Sequence, residues 1–223
     1  MKKSKENILI TRKLSGNSPL WSLSDLGHSI FTHSFLEIVP VDITEIPIAE
    51  VYFYYSKNAA IEFVKAAKNL GRDITQSYHA TMGSGTAKTL LDLGTQPDFV
   101  GSESPNSVAR SLYEKYGDKR LCFVRAKQST QSIQKLWPKE YIDLVIYDTT
   151  IIDIELQQSI DTIFATSPKN LHAAMRCCDT DSLTNIICIG PTTLEAAKKL
   201  TDINSIMATA NNEEAMLDAY LRL

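Results

Sequence analysis

The sequence predicts an α/β fold of two similar α/β domains with mostly parallel sheets, joined by a two-segment linker and with a cleft between them. Three observations predict it. Short runs rich in Val, Ile, Tyr and Phe alternate with longer segments of helical period along the chain. One set of strand, turn and helix signals is written twice in the same order. Two polar stretches interrupt the alternation at places where the chain can cross from one domain to the other.

The elements follow in order. NILIT leads to a helix expected near Pro19 to Gly27, VYFYY to one over Lys57 to Leu70, and SYHAT to one over Gly85 to Leu93. DFVG precedes a helix from Pro105 to Tyr116, and LCFV and IDLVIY read as two further strands. DTIFAT, NIICI and SIMAT are then each followed by a helical segment. Strands that alternate with helices in this way build a parallel sheet through crossover units.

The two copies are visible within the chain itself. VYFYYSKNAAIEFVKAA, HATMGSGTAKTLLDLG and SPNSVARSLYEKY correspond to TIFATSPKNLHAAM, IICIGPTTLEAAKKL and ANNEEAMLDAYLRL. Gly83 to Thr86 and Gly190 to Thr193 are both three positions apart, while Lys57-Asn58 is offset by one from Lys169-Asn170. EIVPVDITEIPIAE and YDTTIID are the expected crossings. Residues 1–36 with 149–223 are therefore expected to form one discontinuous domain, and 37–148 a second, inserted one.

Composition narrows the class. With 223 residues, 43% hydrophobic and 22% charged, the chain can bury a sizeable core. No apolar run approaches the roughly 18 residues of a membrane span, and MKKSKEN leads straight into a short strand, so a cytoplasmic protein is expected. A net charge of -3 argues against a nucleic-acid partner but leaves room for a small anion held by backbone amides. Cys122, Cys177, Cys178 and Cys188 include no C-x-x-C spacing and read as small apolar fillers.

Each copy supplies two strand-to-helix turns, at Ser56 or Ser167 and at the Gly-x-x-Thr of Gly83 to Thr86 or Gly190 to Thr193. In a parallel sheet such turns lie at the carboxyl ends of the strands. Their serines and threonines suit helix caps, and their amides can hold an anionic guest. GSGTAKT approaches a phosphate loop but has Ala87 and Met82 where that loop needs glycine. His28, His33, His79 and His172 form no paired spacing, and His79 reads as a packed strand residue. Tyr147 closes the run IDLVIY at a crossing, where its hydroxyl would face the cleft. Arg12 and Arg125 end strands and are expected to pair with surface acids.

These residues together resemble the uroporphyrinogen-III synthase family of tetrapyrrole biosynthesis. The resemblance is carried by ILITRK, SKNAA, MGSGTAKTLLDLG, LCFVRA, VIYDTT, ATSPKNL and above all IGPTTLEAAKKL, in the expected order over nearly the whole chain. It implies cyclisation of hydroxymethylbilane with inversion of ring D through a spiro intermediate, without metal or organic cofactor. It places the family's cleft threonines on Thr86, Thr192 and Thr193, its linker tyrosine on Tyr147 as the catalytic group, and the serines after the strands on Ser56 and Ser167. It also implies a monomer whose partner is the small-molecule substrate, with no nucleic acid and no membrane. The chain departs from the family pattern at Lys13, at Tyr55 and in RAKQSTQS, so Arg125 is given no substrate role. The same two-domain layout also suits a binding or sensor module for a small polyanion without catalysis.

Overall fold

The computed structural model describes residues 5–102, 104–152, 154 and 156–223. The chain divides into two compact units, one spanning Met1–Glu37 and Ile151–Leu223, the other Ile38–Thr150.

In the discontinuous unit, β1 (Asn7–Ile10) and β2 (Ser29–Thr32) flank a short helical passage containing α1 (Ser22–Asp25). Helical structure over Pro19 to Gly27 is therefore reduced to a 3-10 turn at Pro19–Trp21 and a single α turn. Ser18 caps the 3-10 turn, and Gly27, at φ 95°, reverses the chain immediately after α1, leaving no room for a longer helix. The rest of the unit is β9 (Thr162–Ala165), α5 (Pro168–Cys177), β10 (Asn185–Cys188), α6 (Pro191–Leu200), β11 (Asn204–Met207) and α7 (Glu213–Leu221). Its sheet runs β11-β10-β9-β1-β2, with every neighbouring pair parallel.

The continuous unit contains β4 (Val51–Tyr54), α2 (Lys57–Asn69), β5 (Tyr78–Thr81), α3 (Ser84–Asp92), β6 (Phe99–Val100), α4 (Pro105–Tyr116) and β7 (Leu121–Ala126). Two further strands, β3 (Leu36–Pro40) and β8 (Ile142–Ile151), carry the chain into and out of it. The sheet order is β3-β8-β7-β4-β5-β6, and the five strands from β8 to β6 are parallel.

Both sheets are covered on both faces, which is why their strands read as almost unbroken apolar runs. In β1 the side-chain period of two sends Ile8 and Ile10 into a core with Leu20, Phe164, Ile187 and Tyr220, and Leu9 into another with Ile163, Leu171, Ala174 and Ala197. In β4, Tyr52 and Tyr54 pack on Ala59, Ala60 and Phe63 of α2, while Val51 and Phe53 pack on Val108 and Leu112 of α4.

The five strands of the first sheet match five of the six in the second, β3 having no counterpart. β11, β10, β9, β1 and β2 take the places of β6, β5, β4, β7 and β8. The chain order differs: the counterparts of β7 and β8 come first in the sequence, ahead of the rest of their unit.

Candidate functional site

In the continuous unit the turn after β4 is built by Ser56. Its extended backbone (φ -154°, ψ 164°) ends the strand, and its Oγ accepts the Ala59 N–H at 3.1 Å to cap α2. One strand along, Gly83 caps α3 without a side chain, and Thr86 N–H donates to Gly83 O at 3.1 Å. The first amides of each helix, on Lys57, Asn58, Ser84 and Gly85, have no partner within their own helix. Lys57 lies across the second turn: a Cβ placed on Gly85 would stand 2.9 Å from Lys57 Cε and 3.6 Å from its Nζ. Amides from two helix starts and one exposed ammonium thus gather at the carboxyl ends of β4 and β5.

The discontinuous unit repeats the plan with fewer donors. Ser167 Oγ accepts the Asn170 N–H at 3.1 Å to cap α5, and Gly190 caps α6 without a side chain. Prolines open both helices, at Pro168 and Pro191, and each removes an N–H. Thr192 is exposed, and Thr193 is buried with its N–H donated to Gly190 O at 3.2 Å.

The threonines therefore do not serve as caps. Thr86 and Thr193 lie at the third helical position, and the glycines before them do the capping. Nor are those glycines required by backbone strain, since Gly83 and Gly190 have φ of -167° and -168°, which any residue adopts. What they leave is open space: a Cβ on Gly190 would meet nothing within 4 Å.

Tyr147 is brought to this region by an irregularity in β8. Arg125 pairs with Val145, but the next residue, Ala126, pairs with Tyr147, so β8 carries one extra residue. A one-residue insertion turns the following side chain to the other face. Tyr147 consequently joins Leu144 and Ile146 on the side covered by α2, buried at 6% exposure. Its Oη lies 3.0 Å from Ser56 Oγ.

Arg12 and Arg125 occupy equivalent positions. Ile10 pairs with Phe164 and Phe123 with Phe53, each phenylalanine standing three residues before a capping serine. Both arginines are committed to the protein. Arg125 is buried, and its Nε and Nη2 donate to Asp143 at 2.6 and 2.5 Å, while its Nη1 donates to the Ala126 and Lys127 carbonyls. The hydrogen bond with Asp143 holds the guanidinium pKa above its ordinary value. Arg12 pairs with Glu213, the first residue of α7, whose other oxygen accepts Ser18 Oγ at 2.5 Å. Arg125, itself buried, thus pairs as expected with an acid at the surface, Asp143, and braces the end of β7. Tyr55 has a bracing part too, accepting the Ile133 and Gln134 N–H groups at 3.0 Å each.

The remaining polar candidates are structural. Buried His79 is hydrogen-bonded to Tyr54 Oη at 2.9 Å and to Ile74 O at 3.1 Å, and burial lowers its pKa. All four cysteines are free, and burial pushes the Cys122 thiol up to about 12 and Cys188 to about 11. Among the described residues no group of three His, Cys, Asp or Glu could hold a metal ion, and no helix is long and apolar enough to cross a membrane. A cavity of about 420 Å³ beside Asp42, Glu62, Lys65 and Leu70 contains none of the candidate residues. Sequence reasoning missed the Lys57 ammonium and the Ser56–Tyr147 contact. The only sequence trace of the first is the Lys-Asn that follows both serines.

Two α/β units of matching strand order, each with its capped helix starts at the carboxyl ends of parallel strands, define a duplicated α/β protein. Solved structures of this class resemble it along almost its whole length. A uroporphyrinogen-III synthetase from Helicobacter pylori matches with a TM-score of 0.75 at 18% identity, covering 97% of this chain and 99% of that one. A mutant uroporphyrinogen III synthase from Thermus thermophilus matches with a TM-score of 0.58 at 12% identity, covering 97% and 98%. These likenesses establish the fold. The family follows from the sequence: the family model described as Uroporphyrinogen-III synthase HemD matches residues 22–218, and the chain belongs to that family. It is an enzyme of tetrapyrrole biosynthesis. No curated protein sequence matches it.

Proposed function

We propose that the chain acts as a cyclising lyase on hydroxymethylbilane, inverting ring D through a spiro intermediate to give uroporphyrinogen III. The family match over residues 22–218 is the observation that carries this reading. The reaction asks little of the protein in acid-base chemistry. Loss of the terminal hydroxyl gives a cation stabilised by the electron-rich pyrrole, the substituted carbon of ring D attacks it, and bond migration closes the macrocycle. The enzyme must hold the chain so that the crowded carbon is closer than the free one, an orientation effect capable of many orders of magnitude.

In this reading Tyr147 hydrogen-bonds the departing hydroxyl and assists its loss. The substrate's carboxylates are held at the turns of Ser56, Thr86, Ser167, Thr192 and Thr193. The open amides of Lys57, Asn58, Ser84 and Gly85 support that role, because helix starts favour negative charge. The enzyme is proposed to act as a cytoplasmic monomer, without cofactor and without a nucleic-acid or membrane partner.

The test is to incubate the protein with freshly prepared hydroxymethylbilane and separate the product isomers. The expected product is the inverted isomer. Only the uninverted ring, which the substrate forms by itself, would reduce the protein to a binder of the polyanion.

A further inference from the structure

We infer that Ser56 is a positioning residue for Tyr147, donating its hydroxyl hydrogen to the phenol oxygen and so leaving the phenol hydrogen free for the substrate. The inference rests on the proposed role of Tyr147 and adds a specific division of labour to it.

The hydrogen-bond inventory of the pair carries the argument. Ser56 Oγ has one hydrogen and two lone pairs. One lone pair accepts the Ala59 N–H at 3.1 Å. Among the described residues, its other polar contact is Tyr147 Oη at 3.0 Å, which is also the sole side-chain hydrogen bond of the buried tyrosine among them. Either direction leaves one of the two hydroxyl hydrogens without an acceptor among the described residues. Were Tyr147 the donor, the phenol would have spent its only hydrogen on Ser56 and have none for the departing hydroxyl; with Ser56 as donor, the phenol hydrogen is the one that remains available.

Two independent devices produce the contact. The extra residue in β8 turns Tyr147 toward α2, and the cap holds Ser56 in place because its oxygen is tied to the first turn of the helix. A serine tied into the first turn of a 13-residue helix is a rigid partner, and it fixes where the phenol oxygen stands.

The test is a kinetic double-mutant cycle of Ser56→Gly and Tyr147→Phe. Glycine is nearly as good a cap as serine, so Ser56→Gly removes the hydroxyl while keeping the helix start. Ser56→Gly alone is expected to lower kcat about fivefold, the kinetic equivalent of one hydrogen bond, and to change kcat by less than about twofold in the Tyr147→Phe background. A second readout is rescue: Ser56→Thr, which keeps both a capping oxygen and a hydroxyl hydrogen, should keep kcat within about twofold of the parent, which a capping role alone would not separate from Ser56→Gly. Equal losses in both backgrounds, or a Ser56→Thr variant as slow as Ser56→Gly, would overturn the inference. A fully active Tyr147→Phe would instead remove the role of the tyrosine itself.

Discussion

The hydroxyls of Ser56 and Tyr147 lie 3.0 Å apart although 91 residues separate them in the chain. The serine ends β4 and the tyrosine sits past an irregularity in β8, so the contact depends on two separate strands meeting a common helix start. The proposed division of roles makes the tyrosine helpful without being indispensable. Tyr147→Phe is expected to reduce turnover roughly 10- to 100-fold while leaving the ratio of inverted to uninverted product unchanged. A stopped assay with isomer separation checks both numbers at once.

Gly85 and Lys57 give a second prediction. The Cβ of Gly85→Ala would crowd Lys57 Cε at 2.9 Å, and the end of a flexible side chain is what has to move. Displacing the ammonium should raise KM several-fold with little change in kcat and almost none in thermal midpoint. A fall in kcat with an unchanged KM would show that this lysine does not meet the substrate's carboxylates.

Gly101 lies where no side chain fits. A Cβ there would stand 2.5 Å from Met82 O and 2.8 Å from Val108 Cγ2, and the first of these is backbone. Gly101→Ala is expected to cost about 1 to 3 kcal/mol, read as a lower urea midpoint with an unchanged slope.

His79 sets a pH dependence. Burial disfavours its charged ring and places its pKa below the ordinary 6.5. Its neighbours are the Tyr54 hydroxyl, the Ile74 carbonyl and Asp98, which accepts the His79 backbone N–H. Below about 6.5 the unfolded chain takes up a proton that the folded one refuses, so this contribution is complete above that pH and is lost as the pH falls through it. Urea unfolding at pH 7.5 and 5.0 should show the lower stability at pH 5.0, with a slope of up to about 1.4 kcal/mol per pH unit from this group. His79→Gln should flatten the difference.

Much of the architecture was legible because the strands are buried on both faces and the helices start with capping residues. VYFYY and TIFA are unbroken apolar runs, and Ser56 and Ser167 both cap as their positions suggest. β2 was missed because Ser29–Thr32 is a half-buried edge strand whose polar ends break the pattern. The threonines of the Gly-x-x-Thr turns were misread as caps because composition cannot tell which of four neighbouring residues leaves the strand conformation first. The equivalence of Arg12 and Arg125 was hidden by chain order, since one lies near the start of the sequence and the other follows three strand-helix units. The pairing of Ser56 with Tyr147 depends on a single extra residue in β8, which leaves no mark in hydrophobic periodicity.

The displaced position of β1 bears on how the protein is born. Ile8 pairs with Ile30 of β2 on one side and with Thr162 of β9 on the other, so one edge of β1 leaves the ribosome long before its second partner exists, whereas β4 to β8 emerge as an uninterrupted set. The later-starting unit can therefore finish folding during translation while β1 waits with an open edge, an apolar ribbon accessible to chaperones until β9 arrives.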